Sequence, residues 1–250
     1  MSEPLLQVTG LNRRFGAIQA SRDLSFGIEA GEVHALIGPN GAGKTTAINQ
    51  LTGEIEPDSG SIVFNGRDIT RLPVHKRALM GLARSFQITA VFEHLTIAEN
   101  LALSVQAHMG HSYRFWARAD RDPRLTRPTL DALKLVGLEE RASAPASSLS
   151  HGEKRQLEVG MALAGQPKLL LLDEPMAGMG PGGTIEMSNL IREMKGEITI
   201  LLVEHDMDVV FSLADRVTVL VYGEAVATGT PEQIRANPLV RQAYLGGEQD

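Results

Sequence analysis

Gly38-Pro39-Asn40-Gly41-Ala42-Gly43-Lys44-Thr45-Thr46 follows the apolar run Val33-His34-Ala35-Leu36-Ile37 and precedes a segment that reads as a helix. A strand, a glycine-rich turn and a helix in that order make a cradle for phosphate. In the spacing G-x-x-x-x-G-K-[ST], Gly38 and Gly43 allow a curl tight enough to point successive N–H groups into one concavity. The positive end of the following helix dipole adds to the attraction for anionic oxygens. Lys44 is placed to reach the β- and γ-phosphates of a nucleotide, and the Thr45 hydroxyl to ligate Mg²⁺.

Outward from this stretch the chain reads in three parts. From about Leu5 to Gln87, strand-like runs alternate with turns: Leu5 to Val8, Leu24 to Ile28, Val33 to Ile37, and Ser61 to Phe64 after the turn Glu56-Pro57-Asp58-Ser59-Gly60. From about Ile88 to Gly165 the apolar spacing turns helical, as in Ile97, Leu101 and Val105 and again in Leu130, Leu133 and Val136. Strands return at Lys168 to Asp173, Thr199 to Val203 and Arg216 to Tyr222. The expected fold class is α/β: a nucleotide-binding core with a mainly parallel sheet, an antiparallel β edge and an inserted helical subdomain. The domain is single over 1–250, with the core built from 1–87 and 166–250 and the helical subdomain from 88–165.

Composition narrows the function classes. The 250 residues, 43% of them hydrophobic, suffice for a full core, and a formal charge of -6 leaves no broad basic surface, so no nucleic-acid partner is expected. With no cysteine, disulfides and thiolate metal sites are excluded. The start Met1-Ser2-Glu3-Pro4 lacks the regions of a signal peptide, and no apolar run approaches bilayer length, so a membrane role would come through a partner. Between His108 and Arg127 lies a stretch dense in Arg and aromatics, including Tyr113, Phe115 and Trp116. Such a stretch can bind RNA or lipid headgroups, but it reads better as an amphipathic insertion with solvated Arg side chains.

Two further clusters carry chemistry. Leu172-Asp173-Glu174-Pro175 puts two carboxylates at the carboxyl end of a buried strand, where ligands bind in doubly wound sheets. Asp173 can hold Mg²⁺ bridging the phosphates, and Glu174 can orient or deprotonate the water that attacks the γ-phosphorus. Leu149-Ser150-His151-Gly152-Glu153 precedes a helical run, with Ser150 as an N-cap and free N–H groups able to face an anion.

The order of these pieces resembles that of ATP-binding cassette (ABC) ATPases along nearly the whole chain. Gly38 to Thr46 (Gly38, Pro39, Asn40, Gly41, Ala42, Gly43, Lys44, Thr45, Thr46) match the Walker A motif of that family. Gln87 in Arg84-Ser85-Phe86-Gln87 matches its Q-loop, and Leu149 to Glu153 its signature motif, with Ser150, Gly152 and Glu153 as nucleotide contacts. Leu169 to Asp173 match Walker B, Glu174 the catalytic glutamate, His205 in Val203-Glu204-His205-Asp206 the switch histidine, and Phe15 the ring that stacks on adenine. The resemblance implies an α/β P-loop NTPase fold, ATP and Mg²⁺ as ligands, and metal contacts from Thr45, Gln87 and Asp173.

It also implies a head-to-tail dimer with ATP between the Walker A of one subunit and the signature motif of the other. Glu174, His205, Gln87 and Lys44 are then the catalytic residues. His151 stands where the family usually has Gly, and Gly180 where the D-loop usually has an acidic or amide residue; hydrolysis is expected to survive both.

The stretch Gly81 to Gln87, the Arg-rich insertion, Val203 to Met207 and the tail from Gly229-Thr230-Pro231-Glu232 to Ala243-Tyr244-Leu245-Gly246 resemble the ATPase subunits of branched-chain amino-acid importers, with urea and short-amide importers close by. That implies membrane permease subunits docking near Ile88 to Leu103, a second ATPase subunit in a homo- or heterodimer, and indirectly a periplasmic solute-binding protein. The expected place is peripheral, on the cytoplasmic face of the inner (plasma) membrane. An exporter ATPase and an ABC ATPase without a pore are the alternatives.

Overall fold

The computed structural model describes residues 3–85, 91–108 and 123–245. Gln87, Ile88, the centre of the Arg-rich stretch at 109–122 and the last tail residues at 246–250 lie outside the described residues. The chain divides into two compact units, Met1–Leu82 with Met194–Asp250, and Ala83–Glu193.

The first unit holds two sheets. Strands β1 (Leu6–Phe15) and β2 (Ile18–Ile28) form a long antiparallel hairpin, with Leu6 opposite Ile28 and Phe15 opposite Ile18. Strand β4 (Ser59–Phe64) pairs antiparallel with the other edge of β1, and β5 (Arg67–Asp68) with β4. Alternation puts Leu6, Val8, Leu24, Phe26, Ile28, Ile62 and Phe64 inside, as period-2 patterning requires. The hairpin is longer than its apolar runs because register shifts between Val8 and Leu11 and between Leu11 and Arg13 interrupt the alternation without ending the pairing.

The second sheet of this unit runs β10 (Glu224–Gly229), β9 (Arg216–Val221), β3 (Val33–Ile37), β8 (Thr199–Val203). Strands β3 and β8 are parallel and buried at every residue, which is why they read as unbroken apolar runs rather than alternating ones. Strand β9 is parallel to β3, and β10 returns antiparallel as the edge. Helices α7 (Met207–Leu213), α8 (Pro231–Ala236) and α9 (Pro238–Leu245) supply Val210, Leu213, Ile234 and Val240 to the buried apolar set. Of these, Val210, Ile234 and Val240 cluster with Ala35, Ile37, Val217 and Val219 from the sheet.

Helix α1 (Lys44–Thr52) buries Ala47, Ile48 and Leu51 and stops at Gly53, whose N–H donates to Asn49 O from a φ of 86°. Helix α2 (Val74–Leu79) delivers Arg77, 1% exposed, to the end of α1. There its guanidinium donates to Gln50 O, Leu51 O, Thr70 O and Leu72 O at 2.6–2.9 Å. Burial pushes the Arg77 pKa down and the Asp68 charge opposes this, but a guanidinium stays charged.

In the second unit, β6 (Leu82–Arg84), whose first residue belongs to the first unit, neighbours β7 (Leu169–Asp173). Helices α3 (Ile97–His108), α4 (Pro123–Leu135) and α5 (His151–Leu163) pack on one another, and α6 (Pro181–Met194) follows β7. The sequence boundaries at 88 and 165 mark the change from strand to helix, whereas this compact unit also takes in β7 and nearly all of α6. No helix among the described residues is long and apolar enough to cross a membrane.

Candidate functional site

In the first unit, the loop from Gly38 to Gly43 joins β3 to α1. A Cβ at Gly38 would collide with Leu220 O, so the loop approaches β9 more closely than any other residue type allows. Gly43 has a φ of 102°, and a Cβ there would meet Ala20 O. The loop is latched by Ala42 N–H donating to Pro39 O at 3.1 Å and Gly223 N–H donating to Ala42 O at 2.8 Å. Lys44 Nζ folds back to donate to Gly38 O at 2.6 Å and Pro39 O at 3.1 Å, while Thr45 is exposed at the helix start. These are a latched backbone concavity, a cation held at its rim and an exposed hydroxyl, the parts that a triphosphate needs.

Strands β3 and β8 run parallel with Ala35 beside Leu202, so the phosphate loop and Glu204-His205 leave the sheet at the same, carboxyl end. His205 is 68% exposed and its Nδ1 lies 3.6 Å from Oε2 of the buried Glu204. Glu204 also accepts from the His205 backbone N–H at 3.2 Å, which ties the histidine to the end of β8. Asp206 then caps α7 by accepting from Asp208 and Val209 N–H, fixing where the segment turns. Phe15 ends β1, 43% exposed, with the Arg13 guanidinium 4.9 Å over its ring.

In the second unit, Asp173 is 4% exposed at the end of β7, and its Oδ2 accepts from Arg84 Nη2 at 3.0 Å. Glu174, partly buried, has a φ of 49°, a left-handed conformation uncommon for a side-chain-bearing residue. Such conformations concentrate at sites where the fold overrides local preference.

Ser150 caps α5 in a full capping box: its hydroxyl accepts from Glu153 N–H, and Glu153 Oε2 accepts from Ser150 N–H at 2.8 Å. Burial works against the charge of Glu153, but hydrogen bonds from Ser150 and Arg141 outweigh it and hold the pKa below the usual carboxylate range. His151 Nε2 lies 3.4 Å from Ala177 O, which brings the start of α5 against the loop Ala177 to Pro181, and Gly180 is exposed in that loop.

Each unit thus gathers part of the residues singled out from sequence. Gly38 to Thr46 and His205 share one sheet end, and Ser150, Gly152 and Glu153 share the second unit with Asp173 and Glu174; Gln87 lies outside the described residues. Sequence reasoning gave no role to Arg84 or Arg141, whose carboxylate partners lie 89 and 12 residues away. It also passed over Glu204, although its place beside His205 was a local signal. Among the described residues no group of three His, Cys, Asp or Glu could hold a metal, whereas Mg²⁺ carried on a nucleotide needs only one or two oxygen ligands from protein. The Thr45 hydroxyl and the Asp173 carboxylate are such donors, and both suit a hard cation.

The sequence pattern of the ABC transporter family matches residues 21–177, and that of a branched-chain amino acid ATP-binding cassette transporter matches residues 226–250. The chain is 40% identical to the high-affinity branched-chain amino acid transport ATP-binding protein BraF of Pseudomonas aeruginosa, across 98% of this chain and 99% of that one. It is 41% identical to LivG of Escherichia coli (strain K12), a protein of the same description, over the same shares. The lipopolysaccharide export system ATP-binding protein LptB of Acidithiobacillus ferridurans is 36% identical over 99% of each chain. A crystal structure of an ATP-binding cassette of an ABC transporter in its ADP conformation superposes with a TM-score of 0.87 at 28% identity, covering 98% of this chain and all of that one. A nucleotide-free cassette gives 0.84 at 29% identity, over 96% and 98%. The chain belongs to the ABC transporter family, as an ATP-binding cassette with the ATPase role of that family in transport.

Proposed function

We propose that this ATPase powers an importer of branched-chain or other hydrophobic amino acids, working on separate membrane permease subunits that a solute-binding protein loads. The observation that carries this reading is the identity to BraF and LivG over nearly the whole chain, joined by the match at residues 226–250 to a branched-chain amino acid cassette. The match to LptB makes lipopolysaccharide export the second reading, and the C-terminal match weighs against it.

In the proposed cycle Lys44 leaves the carbonyls of Gly38 and Pro39 for phosphate oxygens, and the loop N–H groups hold the β-phosphate. The ring of Phe15 stacks on adenine. Thr45, Gln87 and Asp173 would hold Mg²⁺, which would neutralise charge developing on the phosphates. Glu174 orients the attacking water and accepts its proton, while His205 donates to the γ-phosphate from the end of β8. Ser150 and Gly152 at the start of α5 face the γ-phosphate of a second subunit, so two chains close two sites.

The test is to purify the chain with its co-expressed permease subunits in lipid nanodiscs and measure ATP hydrolysis with candidate solute-binding proteins. Stimulation by a leucine- or valine-loaded binding protein is expected. Stimulation only by a urea-loaded one, or by lipopolysaccharide with an exporter permease, overturns the substrate reading.

A further inference from the structure

The hydrogen bond from Ser85 N–H to Leu171 O at 2.9 Å fixes β6 against β7, and that register sets Arg84 beside Asp173. Their side chains are 11% and 5% exposed, and the guanidinium donates to Oδ2 at 3.0 Å. A carboxylate this buried has a high desolvation cost, which a neighbouring cation offsets. A guanidinium does not lose its proton at any physiological pH, so it cannot make way for a second cation by becoming neutral. A divalent ion on Asp173 therefore meets a fixed positive charge on the carboxylate it must share.

We propose that Arg84 is a positioning residue that acts as a built-in rival of the nucleotide's metal: it holds Asp173 in place and competes for its charge, so metal capture loosens the ion pair. Arg84 stands three residues ahead of Gln87 in the chain, so the loosening acts on the strand that leads into the Q-loop. The inference rests on the reading of Asp173 as a metal ligand.

It is tested on the full chain by Mn²⁺ binding, read by electron paramagnetic resonance with a saturating non-hydrolysable ATP analogue. Arg84→Gln is expected to tighten Mn²⁺ binding by about tenfold, because the competing charge is gone. Arg84→Lys keeps a charge but not the planar fork and is expected to tighten it less. Unchanged or weaker binding in Arg84→Gln, or a tightening in Arg84→Lys as large as that in Arg84→Gln, overturns the proposal.

Thermal melts give a second readout should Arg84→Gln be unstable: the Mn²⁺ nucleotide complex should raise its Tm by more than that of the native chain. A smaller rise also overturns the proposal. Asp173→Asn separates the two layers. Failure of that variant to weaken Mn²⁺ binding removes the metal-ligand reading itself, whereas normal weakening with an unresponsive Arg84→Gln removes only the role of Arg84.

Discussion

Glu174 occupies a backbone conformation that its residue type disfavours, directly after the strand that ends in the buried Asp173. Its partly buried carboxylate is proposed to orient water rather than bind nucleotide, so loss of its charge should separate the two functions. Glu174→Gln is expected to lower steady ATP turnover by at least about a hundredfold while ATP affinity stays within about threefold, since one general base contributes of that order. Phosphate release and fluorescent-nucleotide titration on the same preparation check both halves. Wild-type turnover in the variant would move the catalytic role away from Glu174. Lys44 offers the contrast: its ammonium already touches the loop carbonyls, so its removal should weaken nucleotide binding itself.

Helix α1 has only nine residues and must hold the phosphate loop rigidly, although short helices are marginal by themselves. Gly53 closes one of its terminal carbonyls and Arg77 closes two more from 26 and 27 residues away. Arg77→Met keeps the apolar stem but leaves two buried carbonyls, Gln50 O and Leu51 O, and two half-buried ones, Thr70 O and Leu72 O, without this donor, and is expected to cost about 3 kcal/mol of stability, read by urea unfolding. A loss below about 1 kcal/mol would show that water replaces the guanidinium.

Elements were readable from the chain where the signal is local. The loop Gly38 to Thr46, the N-cap Ser150 of α5, and the unbroken runs of β3, β7 and β8 all carry their physics within a few residues. Arg77 and Arg84 were opaque because their partners come together only after folding. The hairpin β1–β2 was under-read because its register shifts disguise the alternation.

At the scale of the molecule, the candidate site residues are divided between two compact units, each with a coherent share: phosphate loop and His205 in one, Asp173, Glu174 and the capped start of α5 in the other. The second unit puts Ser150 and Gly152 at the N-terminus of a thirteen-residue helix whose first-turn side chains stay exposed or half-buried, a surface suited to an anion held by another molecule. If two chains close over ATP, blocking hydrolysis should trap the closed pair. Glu174→Gln with ATP and Mg²⁺ is therefore expected to run at twice the chain's 27.0 kDa mass in size-exclusion chromatography with light scattering, and to return to the monomer without nucleotide. Ser150→Arg in the same background sets a bulky cation where the γ-phosphate should meet the helix and is expected to abolish the dimer. A monomer under every condition would exclude the homodimer, and a paralogous cassette that restores the doubled mass would identify a heterodimer. A dimer that survives Ser150→Arg would place the subunit contact elsewhere than at the start of α5.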